Sequence, residues 1–283
     1  PAPARPAPRP AAAKPEPKPA VNEIKPELVA PEQLHDRLAE LKNQGYALLE
    51  NLTGVDWGEE GLGAVYTLTN PETFEMVHVK AVSPNREQPV LPSACDLWDI
   101  ANFYEREVYD FYGVIFVNHP DLRRIFLRED WVGFPFRKDD KPEEKNEEIA
   151  VGDEPISDLA PCYTLNADGT LHCEHTPLFA DEDYVINLGP QHPSTHGVLH
   201  FRTRIDGEII TKIDPHLGYI HRSIEKISED LTYPQTLALT DRMDYLGAMQ
   251  NRHALCACIE LAMGVEVSDR VQVIRTIMDE LQR

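Results

Sequence analysis

Hydrophobic positions in the first third of the chain recur at both helical and strand spacing. After Pro31, three leucines fall on one helical face, and Gly45 stands where that helix would end. These leucines are Leu34, Leu38 and Leu41. Three runs rich in β-branched and aromatic residues follow between 47 and 83. The pattern therefore predicts one helix and three strands.

A second helix is predicted after Pro92 and Ser93, within the stretch SACDLWDIANFYEREVYDFYG. Gly113 would end it, and the strand GVIFVNH follows. Its apolar face would consist of Leu97, Ala101, Tyr104, Val108 and Phe111. Its charged residues are expected to be solvated or paired with neighbours, and they are Glu105, Arg106, Glu107 and Asp110. Both stretches together indicate an α+β domain over residues 28–140.

Two hairpins are predicted farther along the chain. In CYTLNADGTLHC, the Asp168-Gly169 turn would bring Cys162 and Cys173 opposite each other. A cross-strand disulfide and two free thiols are both compatible with this pattern, and free thiols are favoured in a cytoplasmic chain. The runs DYVINLGP and GVLHFRTRIDGEIITKI indicate further hairpin strands connected by QHPSTH.

Helical patterns dominate from residue 221 onward. They occupy HRSIEKISEDL, TLALTDRMDYLGAMQNRHALCACIELAMGV and SDRVQVIRTIMDELQR. Ser268 is a good N-cap for the last of these helices. That helix reaches Arg283 without a terminating Gly or Pro, and the first residue is Pro rather than Met. We interpret the chain as truncated within a helix.

Two stretches lack the periodicity of a packed element. Residues 1–27 form a Pro/Ala/Lys tract that we expect to be an extended, disordered tail, and residues 141–180 form an acidic linker or arm. Residues 181–283 remain as a second unit. The chain is thus predicted to be α+β throughout, with β-hairpins followed by helices in its second half.

The charge balance limits the possible partners. The chain has 48 acidic and 27 basic side chains, a net charge of -21, and no basic block that could follow a phosphate backbone. Nucleic acid is therefore not expected as a partner. No apolar run approaches the roughly 20 residues that cross a bilayer, so membrane contact is expected to be indirect. The five cysteines include no Cys-x-x-Cys pair, so we expect no metal site in the chain.

Two long motifs resemble a known family. EREVYDFYGVIFVNHPDLRRIFLREDWVGFPFRKD resembles the C subunit of the proton-pumping NADH:quinone oxidoreductases, respiratory complex I. VINLGPQHPSTHGVLHFRTRIDGEII, PHLGYIHRSIEK and TDRMDYLGAMQN resemble the N-terminal part of the D subunit. The C and D subunits are fused in this order in some bacteria. The resemblance implies a C-type α+β domain, a linker, and a truncated D-type domain similar to the large subunit of nickel–iron hydrogenases.

The loop from His192 to Gly197 is suited to binding, because Pro193 disfavours a helix and polar groups on a loop are common in binding sites. Imidazole titrates near neutrality and a phenol is a neutral donor, so His and Tyr suit a reaction that consumes protons. On residue type alone, a loop His is a surface residue and a helical Tyr a core aromatic.

The resemblance implies that His196 and Tyr245 bind the quinone headgroup from opposite sides. His192 and Asp244 are their neighbours in the two motifs. Quinone is then the substrate, no cofactor is bound by this chain, and no residue in it is assigned as catalytic. The carboxylates that orient the histidine in the family lie beyond Arg283.

The resemblance also implies the partners. The C part would be scaffolding, in which Asp121, Arg123 and Arg124 fix the fold and an interface, and the D part would form the quinone site. An iron–sulfur cluster is expected on the B subunit, with the I subunit and the membrane arm as further partners. The complex would lie peripherally on the cytoplasmic face of the bacterial inner membrane and couple electron transfer to quinone with proton translocation. Either NADH or a reduced carrier protein could be the electron donor, since the chain has no nucleotide or flavin motif. The isolated fragment is expected to be inactive.

A metallohydrolase is the alternative from another class. It is suggested by a crowd of histidines and acids, which comprises His192, His196, His200, His216, His221, Asp206, Glu208 and Asp214. His192 and His196 have the spacing of a helical zinc site, but Pro193 and Gly197 disfavour that helix.

Nickel binding is not expected. The region that would hold the first cysteine pair reads DRMDYLGA, without a cysteine. Cys256 and Cys258 would point about 200° apart on a helix, so they cannot replace that pair.

Overall fold

A four-stranded sheet organises the first half of the chain. It contains β1 (Glu27–Val29), β2 (Leu48–Asp56), β3 (Leu62–Thr69) and β4 (Met76–Ser83) in the order β1-β4-β3-β2. The last three strands form an antiparallel meander and confirm the prediction, whereas the short β1 pairs in parallel with β4 and was not predicted. The computed structural model describes residues 25–140, 146, 157–191 and 197–283. Residues 1–24 of the predicted tail lie outside the described residues, and so do residues 141–145 and 147–156 of the predicted acidic arm.

Helix α1 (Pro31–Asn43) connects β1 to the meander. It buries Leu34, Leu38 and Leu41, as predicted, and Gly45 after it has a positive φ of 103°. These leucines join a core built from the inner faces of the sheet strands, with Tyr66 and Phe116 among its largest side chains. The spacing of the leucines thus identified both the helix and its buried face.

Helix α2 (Ala101–Tyr112) packs against β2. It ends at Gly113 with a left-handed φ of 71°, as predicted, but it begins at Ala101, so Leu97 lies in the turn before it. A Cβ on Gly54 would lie only 2.3 Å from Cδ2 of Tyr112, so a glycine is required where the helix meets the strand. The short strands β5 (Val90–Pro92) and β6 (Ile115–Val117) pair in parallel on either side of α2 in the sequence.

Three charged residues of α2 are buried. They were expected to be solvated or paired with neighbours, and solvation is wrong for Glu105, Arg106 and Asp110. Pairing is confirmed for Asp110, which binds Arg124. Glu105 and Arg106 have hydrogen-bond partners. The Asp110 carboxylate accepts hydrogen bonds from the backbone N–H groups of residues 125–127, at 2.8 to 3.2 Å, and from Arg124 at 2.8 Å. Buried charges persist only with such compensation, and this carboxylate attaches the segment after β6 to the helix.

The second half begins with a hairpin inside the stretch assigned to the acidic arm. Strands β7 (Leu159–Leu165) and β8 (Leu171–Pro177) pair in a register that places Tyr163 opposite Cys173 and Cys162 opposite Glu174. The prediction that the two cysteines face each other is wrong, because a shift of one residue turns a side chain to the other face of a hairpin. Both thiols are free.

A three-stranded antiparallel sheet follows, in the order β11-β10-β9. Its strands are β9 (Val185–Leu188), β10 (His200–Asp206) and β11 (Ile209–His216), which confirms the predicted hairpin strands. The predicted connection between β9 and β10 runs through residues 189–199, of which 192–196 lie outside the described part of the chain.

Four helices complete the described chain: α3 (Ile224–Glu229), α4 (Tyr233–Thr240), α5 (Ala248–Met263) and α6 (Asp269–Gln282). The helix predicted across 236–265 is interrupted at 241–247, where the Asp244 carboxylate accepts a hydrogen bond from the backbone N–H of Leu246. Such a local bond competes with a continuing helix. Ser268 occupies the predicted N-cap position of α6, but its hydroxyl makes no capping bond. None of the described helices is long and apolar enough to cross a membrane.

Replacing Asp110 with alanine should destabilise the first half of the chain by about 3–5 kcal/mol, because Arg124 and three backbone N–H groups would lose a buried partner. Chemical denaturation of the purified chain measures this change in the free energy of unfolding. The same substitution at the exposed Asp130 is the control, with an expected change below about 1 kcal/mol. Equal effects of the two substitutions would show that Asp110 does not hold the segment after β6 to helix α2.

Candidate functional site

Tyr245 lies in the turn between α4 and α5, not on a helix as its sequence context suggested. Its side chain is 71% exposed, and Met243 and Leu246 beside it are also largely exposed. A cluster of exposed apolar and aromatic side chains is typical of a binding surface. The alternative interpretation of Tyr245 as a core aromatic does not hold.

The turn that carries Tyr245 is held by polar contacts from α5. Asn251 Nδ2 donates to the carbonyl oxygens of Thr240 and Asp244, at 3.3 and 3.2 Å. Arg252 Nε donates to Asp241 at 3.0 Å. The side chain of Asp244 is used within the turn itself. The exposed phenol of Tyr245 therefore projects from a turn that is braced by side chains of α5.

A cleft of about 320 Å³ lies beside the residues that precede Tyr245. Its walls come from Phe126 in the first half of the chain, from residues 216–222, and from Arg242 and Met243. Tyr219 forms part of one wall, and its hydroxyl oxygen is 3.3 Å from His200 Nδ1. The ring centroids of His200 and His216 are 5.4 Å apart.

The two histidines are held in their neutral form. Burial, together with the charge of Arg202, lowers the pKa of His200. Burial also lowers the pKa of His216 to about 4, with His200 and Arg202 adding to the effect. A neutral imidazole both donates and accepts a hydrogen bond, so His216 lines the cleft, and His200 lies behind Tyr219, without adding a charge.

His192 and His196, the other predicted site residues, lie outside the described residues. The chain on both sides of them is described. Gln191 forms an isolated bridge with Val198, and Leu188 pairs with Phe201. These pairs place the two ends of the connecting loop next to each other on the sheet.

A buried ion network, which sequence reasoning missed, joins the two halves of the chain. Asp214 on β11 is 5% exposed, and it accepts from Arg123 Nη2 at 2.8 Å and from Arg202 Nη2 at 2.6 Å. Burial by itself raises the pKa of Asp214, but the two arginines lower it below its ordinary value. Arg123 was expected to lie in a charged turn that fixes the fold and a partner interface, and nothing in the sequence pattern indicated its partner 91 residues away.

The described members of the histidine and acid crowd do not converge as metal ligands. Asp214 is bound by two arginines, and His221 stacks on Phe111 and Phe126 at ring distances of 5.6 and 5.3 Å. The metallohydrolase hypothesis therefore gains no support from the described residues.

Among the described residues, one group of three potential ligands does converge, in the first half of the chain. It consists of Cys95, Glu105 and His119, whose ligand atoms all lie within 4.8 Å of one another. Both His119 nitrogens are used: Nδ1 accepts from the Asp121 N–H at 2.9 Å and Nε2 donates to the Asn102 carbonyl at 3.1 Å. Burial, with Glu105 next, raises the pKa of the Cys95 thiol to about 12. The hydrogen bonds that Glu105 accepts from Ser93, the Ala94 N–H and Cys95 complete this polar cluster, which is therefore not a prepared metal site.

Comparisons with known proteins agree with the two motifs. Residues 28–146 match the family model of the 30 kDa subunit of respiratory-chain NADH dehydrogenase. The chain is 55% identical over 268 residues to the NADH-quinone oxidoreductase C/D subunit of Bacteroides thetaiotaomicron, covering 91% of this chain and 50% of that protein. It is 37% identical over 246 residues to a C/D subunit of the same enzyme from Aquifex aeolicus, covering 82% and 42%.

Among solved structures, the chain is similar to a trypsin-resistant fragment of Nqo5. The identity is 34%, with 34% of this chain and 80% of that chain covered, and the TM-score is 0.32. The chain spans about half the length of the curated relatives it matches.

The free energy of unfolding should depend on pH through the buried Glu105 of this polar cluster. Burial raises the pKa of Glu105 from 4.5 to about 7, so the folded state binds its proton more tightly than the unfolded state. The stability that Glu105 contributes is therefore complete below pH 4.5 and is lost as the pH rises through about 7. We expect the free energy of unfolding of the wild type, relative to the Glu105→Gln variant, to fall by roughly 2–3 kcal/mol between about pH 5 and about pH 8.

Denaturant unfolding of both proteins across this range measures the difference. His119 has the opposite dependence, since burial and then Arg106 lower its pKa to about 4, but it is present in both proteins and cancels. A difference that does not change with pH would contradict a raised pKa at Glu105.

Proposed function

We propose that the chain is part of a fused C/D subunit in the peripheral arm of proton-pumping NADH:quinone oxidoreductase, because its residues 28–146 match the family model of the 30 kDa subunit of respiratory-chain NADH dehydrogenase. The observation that carries this proposal is the 55% identity to a C/D subunit over nine tenths of the chain. The first half acts as a scaffold, and the second half contributes to the site where quinone is reduced.

Of the two proposed headgroup donors, Tyr245 lies in the described part of the chain. Reduction of a quinone to a quinol adds two electrons and two protons, so the ring oxygens need hydrogen-bond donors as negative charge develops on them. The Tyr245 hydroxyl donates to one ring oxygen, and His196 donates from the opposite side. Support for Tyr245 comes from its 71% exposure on a turn braced by Asn251 and Arg252. His192 and Asp244 are neighbours of these donors in the sequence.

The electrons come from an iron–sulfur cluster on the neighbouring B subunit, and NADH is the distant donor. The I subunit and the membrane arm are further partners, and the complex couples quinone reduction to proton translocation. The exposed apolar side chains on α6, such as Ile274, Ile277 and Leu281, support a role inside a larger assembly. The chain contacts the membrane indirectly, at the cytoplasmic face of the bacterial inner membrane. The isolated chain is expected to be inactive with quinone, because its redox partner is on another subunit.

Replacing Tyr245 with phenylalanine should selectively impair quinone reduction. The ring is kept and the hydroxyl is lost, which is worth about 0.5–1.5 kcal/mol, or roughly a two- to tenfold loss in rate or apparent affinity. The measurement uses membranes from cells that carry the variant in the full-length gene. Quinone reduction is compared with reduction of an artificial acceptor that takes electrons upstream of the quinone.

Tyr233→Phe is the matched control, because this tyrosine is 75% exposed at the start of α4 and has no part in the proposed site. It should leave both activities unchanged. A proportional fall of both activities in Tyr245→Phe would assign Tyr245 a structural role, and unchanged quinone reduction would refute its role as a donor.

A further inference from the structure

Arg123 is shared between the two halves of the chain. Its guanidinium forms two bonds of 2.7 Å to Asp121 in the first half, and a bond of 2.8 Å to Asp214 in the second half. The planar fork of arginine can hold two carboxylates at once, whereas a lysine ammonium lacks that geometry. The side chain is 4% exposed, so its bonds are formed away from solvent.

The network also holds the point where the chain returns from the acidic segment. The carbonyl of Ser157 accepts from Arg123 Nη1 and from Arg202 Nη2, each at 3.2 Å. Arg202 itself lies on β10 and binds Asp158 as well as Asp214. The arginines therefore lock the β10 and β11 strands and residue 157 to the segment after β6.

From Asp214 the chain leads directly to the cleft beside Tyr245. Residues 217–222 follow β11 and pack against the first half of the chain. A Cβ on Gly218, whose φ is 104°, would lie 2.6 Å from the carbonyl oxygen of Phe126, so the two backbones are in close approach. Three residues later, His221 stacks on Phe126, with ring centroids 5.3 Å apart.

The same segment forms a wall of the cleft whose other wall includes Arg242 and Met243. These two residues immediately precede the braced turn with Asp244 and Tyr245. A displacement of residues 217–222 would change the shape of this cleft. The contacts form a continuous series from Arg123 to the surroundings of Tyr245, and packed and hydrogen-bonded series of this kind can carry energetic coupling between sites.

We propose that Arg123 is a positioning residue for the quinone site in the second half of the chain, acting through its buried bond to Asp214. The role rests on the proposed function. The first half would then set the geometry of the site in addition to supporting the fold. A misplacement of about 1 Å at a remote position is enough to slow a reaction substantially.

The test compares Arg123→Lys and Arg123→Gln in membranes that contain the full-length protein. We expect the rate of reduction of a water-soluble quinone to fall about tenfold in Arg123→Gln, with a raised apparent KM, and about threefold in Arg123→Lys, because lysine retains the charge but not the fork. Reduction of the upstream artificial acceptor should remain at the wild-type level in both variants. This partial rescue by lysine, together with the KM change, is not expected from a simple loss of assembled protein.

Arg128→Lys is the matched control, because Arg128 lies in the same segment but forms its bidentate pair with the exposed Asp130, at 2.9 and 2.8 Å. It should leave both activities unchanged. Wild-type quinone kinetics in Arg123→Lys would overturn the proposal, and so would a proportional fall of both activities. Tyr245→Phe is measured in parallel: an unchanged Tyr245→Phe variant contradicts the proposed site, whereas unchanged kinetics in Arg123→Lys alone contradict only the positioning role.

Discussion

The buried bond between Arg123 and Asp214 connects two parts of the chain that are stabilised in different ways. Removing one partner of such a pair leaves an uncompensated charge away from water, at a cost of about 3–5 kcal/mol. The cost is high because both side chains are less than a tenth exposed, so water cannot take the place of the missing partner. Asp214 compensates a second arginine, Arg202, so one carboxylate fixes two strands of the second half against the first.

The first half has an apolar core of its own. Helix α1 and strands β2 to β4 bury leucines and Tyr66 on their inner faces, and α2 closes this core with Val108. In the described second half, by contrast, α5 and α6 bury no residue. The position of the β9 to β11 sheet therefore depends on polar contacts and on the packing of residues 217–222 against the first half. The proposed partner subunits would supply the burial that these helices lack.

Charges inside the first half are arranged in compensated groups. Asp110 holds the backbone after β6, and Arg106 donates to the carbonyls of Arg123 and Arg124. Arg106 thereby supports the segment from which Arg123 reaches Asp214. Glu105 and His119 lie near each other with pKa values shifted in opposite directions by burial. Each shift favours the neutral form, which is the less costly state in a low-dielectric interior.

Local patterns in the sequence determined much of the secondary structure. The spacing of Leu34, Leu38 and Leu41 identified α1 and its buried face, alternation identified the meander and the β9 to β11 strands, and Gly113 marked the end of α2. The two long motifs carried the resemblance to the C and D subunits, with which the comparisons agree. These signals are contained in a few neighbouring residues, so they can be recognised without knowing the fold.

Other features were decided by contacts between distant residues. The register of β7 and β8 separated Cys162 from Cys173, and the braced turn at 241–247 exposed Tyr245 where periodicity had suggested a helix. The burial of Glu105, Arg106 and Asp110 depends on partners up to 18 residues away, and that of Arg123 on a partner 91 residues away. A charged side chain carries no local sign of whether it will be buried, because that depends on whether the tertiary structure brings it hydrogen-bond partners or a group of opposite charge.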